Sequence, residues 1–351
     1  MAKAILLLSG GLDSTLSGKL LVQMGVEVEA VNFISPFCRC TPKSLGCPAA
    51  RRSAQRLGIR VEIIPCGQAY LEAVKRPHFG RGSEANPCID CRVHMFSQAR
   101  QRMEARGADF VATGEVLGQR PMSQHRRAMA LIEREAGLAG RVLRPLCARL
   151  LPPSLPERDG RIDRRRLMAL SGRGRRPQFD LADELDIEDP LCPAGGCLLT
   201  DPEFAARFFD LLEHEPGFGL ADARLLQTGR HFRLPSGAKA IVARDEAECR
   251  KLERSARAGD VLLLPSEVTG PSALCRRPRD SWDVRAAARL LATYTKGGTT
   301  LGVTARPADA SHSVDAFPSV RPLPRETVAG WHVGSQAARH HLVGSSKGGS
   351  P

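Results

Sequence analysis

Residues 4–8, Ala-Ile-Leu-Leu-Leu, form a short apolar run that stops at Ser9, Gly10 and Gly11. The chain then resumes with Leu12, Leu16, Leu20 and Leu21 at helical spacing. Residues 26–31 alternate between apolar and polar like a strand. The pattern continues with a helix over 47–57, a strand over 60–64, a helix over 91–106 and a strand over 110–113. Strands that alternate with helices predict an α/β fold whose parallel sheet is covered on both faces. Ligands in such sheets sit beyond the carboxyl ends of the strands, so the loops after Ser9, Cys38 and Thr113 should share one edge.

From about residue 152 the periodicity loosens. An arginine-rich stretch over 152–180, followed by an acidic one, predicts an exposed, partly helical insertion. Pro216 and Gly217 mark a boundary. Beyond it, short strands over 230–233, 239–243 and 261–264, with a helix over 246–257, predict a smaller α+β domain across 217–296. Residues 297–351 are rich in Gly, Ser, Pro and Ala without sustained periodicity and predict a flexible tail.

A hydrophobic content of 42% in 351 residues suits a globular chain with more than one core. No window is apolar for long enough to cross a bilayer, and the N-terminus has neither the charged flank nor the cleavage site of a secretory signal. The expectation is therefore a cytoplasmic protein without a membrane partner. In that compartment the 11 cysteines point to thiol or metal chemistry rather than to a disulfide framework. They group as Cys38, Cys40 and Cys47, then Cys88 and Cys91, then Cys192 and Cys197. Cys66, Cys147, Cys249 and Cys275 stand alone and read as buried small hydrophobes. The net charge of +13 suits a polyphosphate partner, although solubility explains part of such a surplus.

A strand that passes through two glycines into a helix leaves backbone N–H groups and the positive helix end facing one place. That place suits a phosphate. Ser9, Ser14 and Thr15 add hydroxyls, and Asp13 suits Mg2+. The alternative is an ordinary strand-to-helix turn with a polar cap.

The string Ser-Gly-Gly-Leu-Asp-Ser after an apolar strand resembles the PP-loop of the ATP pyrophosphatases, the adenine nucleotide alpha-hydrolase-like superfamily, whose fold is Rossmann-like. The resemblance implies that Ser9, Gly10, Gly11, Asp13, Ser14 and Thr15 bind ATP, with Asn32 and Phe33 near the adenine. Residues 86–95, with Cys88 and Cys91, precede Thr113, Gly114, Glu115 and Gln119, then Ser123 and Gln124, then Arg144-Pro145-Leu146. Together these resemble the catalytic domain of tRNA 4-thiouridine synthase and related tRNA 2-thiouridylases over roughly 1–200. Thr113, Gly114 and Gln119 join the nucleotide site on that basis. Residues 219–270 resemble the RNA-binding domain of NFACT-type proteins.

The implied activity is ATP-dependent tRNA uridine thiolation, in which a uridine oxygen is adenylated with release of pyrophosphate and then replaced by sulfur. Asp13, Cys88, Cys91 and one of Cys192 or Cys197 would carry it, with tRNA and a sulfur donor as partners. The thiols would act as ligands of a [4Fe–4S] cluster, as a persulfide and its resolving partner, or as a Zn2+ site. The two thiols before the helix expected at residue 91 should have a lowered pKa. Arg120, Arg126, Arg127, Arg230 and His231 are the RNA-contact candidates. His94 reads as a packing residue. Similar folds often form dimers, so a homodimer is among the expected assemblies. Two other readings stay open: a PP-loop ligase or amidotransferase acting on a small molecule, and a nucleotide-binding RNA-associated factor.

Overall fold

A computed structural model describes residues 1–39, 47–187, 196–296, 299–309 and 315–334. The chain divides into two compact units, Met1–Cys197 and Leu198–Pro351.

In the first unit β1 (Lys3–Leu7), β2 (Glu27–Ile34), β3 (Arg60–Pro65), β4 (Phe110–Thr113) and β5 (Val142–Leu143) form a sheet in the order β3-β2-β1-β4-β5. All its pairings are parallel. β1 lies at its centre and alternates between two cores. Ala4, Leu6 and Leu8 pack with Leu21 of α1 (Leu12–Gln23) and with Ala54 and Leu57 of α2 (Pro48–Leu57). Ile5 and Leu7 face Phe96, Ala99 and Met103, which belong to α4 (Cys88–Ala105). The shorter α3 (Gln68–Lys75) precedes α4, and α5 (Arg126–Glu135) adds Ile132 to that core. The chain runs outward from β1 to β3 and then crosses back to β4 on the other side of β1. This reversal opens a crevice between the carboxyl ends of β1 and β4, the usual ligand position in such sheets.

The arginine-rich stretch holds α6 (Leu155–Arg158) and α7 (Arg176–Glu184). It is stitched to the domain more closely than its composition suggests. Ile162 and Leu167 are buried in the sheet core, Arg161 pairs with Asp109, and Arg166 Nη2 donates to the Gln23 carbonyl at 3.0 Å.

The second unit begins with α8 (Pro202–His214) and α9 (Leu220–Leu225). Its sheet contains β6 (Arg230–Arg233), β7 (Lys239–Val242), β8 (Val261–Pro265), β9 (Ala273–Arg276), β10 (Leu301–Pro307) and β11 (Asp315–Val320), in the order β11-β10-β8-β9-β7-β6. Neighbours are antiparallel. One face packs on α11 (Ser281–Tyr294) through Ala287, Leu290 and Leu291, and the other on Leu252 of α10 (Glu246–Ser255).

The tail expected from residue 297 is corrected here. β10, β11 and α12 (Arg325–Trp331) fold into this unit, with Leu301, Val303, Ala305, Val320 and Val328 in its core. Residues 335–351 lie outside the described residues.

Candidate nucleotide and thiol site

β1 is buried on both faces, so the chain must leave the sheet sharply to reach α1. Gly10 makes that turn at φ +79°. A Cβ there would stand 2.4 Å from the backbone of Ala49 and Ala50, so only glycine lets the first turn of α2 approach. Two helix N-termini, those of α1 and α2, therefore converge on one loop. Ser9 Oγ lies 3.1 Å from Ser14 Oγ, and the Ser14 and Thr15 hydroxyls both donate to the Gly11 carbonyl at 3.0 Å. Gly114, just past β4, sits against the same turn, since a Cβ on it would lie 2.5 Å from the Ser14 nitrogen.

Asp13 receives the Gln119 amide at Oδ2 (3.1 Å), and Arg175 Nη2 stands 3.7 Å from that oxygen. Asp13 Oδ1 is buried with no hydrogen-bond partner. An orphaned carboxylate oxygen beside an anion-ready loop fits a hard cation such as Mg2+. Asn32 donates to the Leu8 carbonyl at 2.8 Å, and its own Oδ1 is buried and unpartnered at the end of β2 beside the half-buried Phe33. Thr113 ends β4, and its carbonyl accepts from Ser17 Oγ at 3.5 Å. The structure thus gathers Ser9 to Thr15, Thr113, Gly114 and Gln119 around one turn. Arg175 was missed because its cluster reads as an exposed insertion apart from the nucleotide loop.

Glu115 is buried and serves as an ion-pair hub. Arg144 Nε donates to it at 2.9 Å, and Arg92 Nε lies 3.5 Å away. This links the Thr-Gly-Glu segment with Arg144 and α4. The Gly118 N–H donates to the Gln124 carbonyl at 2.6 Å, closing the loop between the two halves of that motif.

The thiols gather around a buried tyrosine. Tyr70 Oη lies 3.3 Å from Cys91 Sγ, and its ring packs edge-on against His94 with centroids 5.5 Å apart, so His94 packs as expected. Cys66, Cys88 and Cys197 all act electrostatically on Cys91, and Cys38 acts on Cys66. Cys38 also bridges Cys197 through the backbone. Cys66, read as an isolated hydrophobe, is buried but belongs to this group, and burial with Cys38 nearby pushes its thiol up to about 12. Neither Cys66 nor Tyr70 carried a sequence signal. Their neighbours come together only when β2, β3 and α4 align.

The lowered thiol pKa expected for Cys91 is corrected. α4 begins at Cys88, so Cys91 lies a turn inside it. Although the residue is half-buried, dense packing around its sulfur raises the pKa far above the usual value, against the lowering contact from Tyr70. Asn86 Nδ2 donates to Cys88 Sγ at 3.4 Å.

The Cys38 group divides. Cys47 caps α2 with its Sγ 4.0 Å from the Ser9 carbonyl, while Cys40 and Cys192 lie outside the described residues. No disulfide joins the described cysteines. Among the described residues, no three thiol, imidazole or carboxylate groups are arranged to hold one metal ion.

Arg120, Arg126 and Arg127 are exposed, and Arg230 stacks over the Tyr294 ring at 4.6 Å. His231 is corrected as an RNA contact. It is 1% exposed inside β6, with Nε2 2.9 Å from the Thr228 carbonyl. Among the described residues no helix is long and apolar enough to cross a membrane.

Comparison with known proteins matches residues 2–133 to the family described as the tRNA methyl transferase HUP domain, and residues 229–332 to the NFACT protein RNA binding domain. The tRNA-specific 2-thiouridylase MnmA of Sulfurimonas denitrificans is 34% identical over 122 residues, 33% of this chain and 36% of that protein. Its counterpart from Leptospira interrogans serovar copenhageni is 32% identical over 125 residues, 32% of this chain and 33% of that protein. The chain thus spans about a third of the length of these curated relatives. A 4-thiouridine synthetase solved with RNA and bound ATP superposes with TM-score 0.36 at 23% identity, covering 64% of this chain and 52% of that one. Residues 2–133 are thus similar to the tRNA methyl transferase HUP domain, and residues 229–332 to the NFACT RNA binding domain.

Proposed function

We propose that the protein is an ATP-dependent tRNA uridine thiolase. The observation that carries this reading is the Ser9–Ser14 turn at the carboxyl end of β1, where two helix N-termini, a cluster of hydroxyls and the orphaned Asp13 Oδ1 meet. Cys38 and Cys66 follow β2 and β3, whose carboxyl ends lie on the same edge, and both act with Cys88, Cys91 and Cys197 in one group. The likeness to 2-thiouridylases supports the choice of substrate and reaction.

ATP binds with its terminal phosphates on the turn, held by backbone N–H groups and the Ser9 and Ser14 hydroxyls. Magnesium bound at Asp13 would supply charge neutralisation of the pyrophosphate. A carbonyl oxygen of uridine attacks the α-phosphorus, the bond to the β-phosphate oxygen breaks, and pyrophosphate leaves. The resulting adenylate makes that carbon open to a sulfur nucleophile, and AMP departs with the oxygen.

Cys88 carries the incoming sulfur as a persulfide received from a donor protein. Its sulfur receives the Asn86 amide, while burial raises the Cys91 thiol and leaves Cys91 to the slower resolving step. After attack, Cys91 or Cys197 displaces the thiolated base from the mixed disulfide, and a dithiol reductant restores the two thiols. The proposed pathway places no step on a metal cluster.

The test is pyrophosphate release from ATP with unmodified tRNA, together with mass spectrometry of the digested nucleosides. Stimulation by tRNA, loss of release in Asp13→Asn, and release without thionucleoside in Cys88→Ser are expected. Stimulation only by a small carboxylate or carbonyl compound rejects the proposal in favour of a small-molecule ligase. An iron–sulfur absorption band after anaerobic purification, lost in Cys88→Ser, would replace the persulfide route with a cluster.

A further inference from the structure

A cavity of about 540 Å³ lies beside β5 in the first unit, outside the turn and the thiols. Arg126, Arg127, Arg144 and Arg158 line it together with Glu133 and Glu157. The two acids are already engaged: Glu133 pairs with Arg144, and Glu157 pairs with Arg164 and accepts from Ser154 at 2.6 Å. Arg126, Arg127 and Arg158 are exposed, and none forms an ion pair among the described residues.

Arg144 supplies the decisive observation. Its side chain is 3% exposed. Nε and Nη1 are bonded by Glu115 and Glu133, but Nη2 is buried with no partner. A buried guanidinium donor left without an acceptor, in the wall of a cavity ringed by three further guanidiniums, calls for an anionic acceptor. Arg144 follows β5, two strands from β1 in the sheet order, so it leaves the sheet at the same carboxyl edge as the nucleotide turn.

We infer that this cavity binds a phosphate group, presented by the RNA backbone or by a free phosphate anion. Planar forked donors suit its oxygens, and the shared edge lets an RNA phosphodiester seat here while another nucleotide of the same strand reaches the turn. The RNA source rests on the thiolase reading, whereas the phosphate site itself does not.

The test uses the full chain with Arg126→Ala, Arg127→Ala and Arg158→Ala combined. A control carries Arg134→Ala and Arg165→Ala, whose side chains are already paired with Glu135 and Asp163. Binding of unmodified tRNA is measured by filter retention over a range of salt without ATP, and binding of inorganic phosphate by calorimetry. For the RNA source, tRNA affinity falls about tenfold and the slope of log K against log salt weakens by about 1 in the triple variant, with the control unchanged. For the free-anion source, tRNA binding is unchanged and the triple variant loses the inorganic phosphate binding of the parent. Ala130→Glu, which puts a carboxylate into the cavity wall from α5, should give the same loss as the triple variant. If neither ligand responds to these changes in folded protein, the inference is overturned. Because ATP is absent, failure of the adenylation chemistry leaves this readout intact.

Discussion

The Tyr70 hydroxyl lies 3.3 Å from the Cys91 sulfur, at the centre of thiols contributed by the ends of β2 and β3, by α4 and by Cys197. Burial drives the Cys91 thiol upward, and the tyrosine is the contact that opposes it. Tyr70→Phe removes that opposition while keeping the buried ring. Its Cys91 should react with iodoacetamide about fivefold more slowly, the effect of losing one hydrogen bond of about 1 kcal/mol, while Cys88 keeps its rate. Peptide-resolved mass spectrometry reads both. Equal Cys91 rates in the two proteins would remove the tyrosine from this role.

Glu115→Gln should destabilise the first unit. The substitution leaves Arg144 buried with only Glu133 and takes the facing charge from Arg92. Breaking one side of a buried pair costs about 3 kcal/mol, which lowers the melting temperature by roughly 6 to 12 °C in a unit of this size. Adding Arg144→Met should destabilise by less than the sum of the single changes, because the unpaired charge is then gone. Additive effects in that double-mutant cycle would contradict the hub.

Gly10→Ala tests the turn without touching any polar group. Its positive φ and the approach of Ala49 leave no room for a methyl, so the loop must shift away from α2. ATP affinity, measured with a fluorescent analogue, should fall at least about tenfold as the backbone donors lose their alignment. Unchanged affinity would place the phosphates elsewhere.

Much of the first unit was legible because its strands announce themselves. Residues 60–64 and 110–113 lie in strands as predicted, and Ser9, Cys38 and Thr113 do stand at strand ends on one sheet edge. The helix start at Cys88 was missed by three residues, although Pro87 at the cap and Asp90 in the first turn mark it. β11 was illegible for a different reason. It is an edge strand, mostly exposed, and contains Pro318, so it is held chiefly by antiparallel pairing with β10 and by Val320 at its end. Such pairing brings together residues whose periodicity says nothing. Tyr70 and Cys66 share that history, since each looks ordinary until β3 and α4 lie side by side.

Acid should weaken the second unit in two stages. His231 is buried between Thr228, Lys239, Arg207 and Asp210, and its pKa is held well below the ordinary histidine value, by burial first and then by Lys239 and Arg207. His332 is lowered as well, again chiefly by burial. The unfolded chain therefore takes up protons below about pH 6.5 that the folded unit refuses, and stability declines from there downward. Asp210 adds the second stage. Burial pushes its carboxyl up, but Lys239 and Arg233, both 2.7 Å from Oδ2, outweigh it and hold the pKa below the usual carboxylate range. Its contribution is present above about pH 4 and is lost as pH falls further. Melting temperatures of the second unit's transition between pH 8 and pH 3 should show both declines. His231→Leu should flatten the first and leave the second, whatever its effect on the absolute melting temperature. A slope between pH 7 and pH 5 that is identical in both proteins would mean that His231 takes up its proton without unfolding.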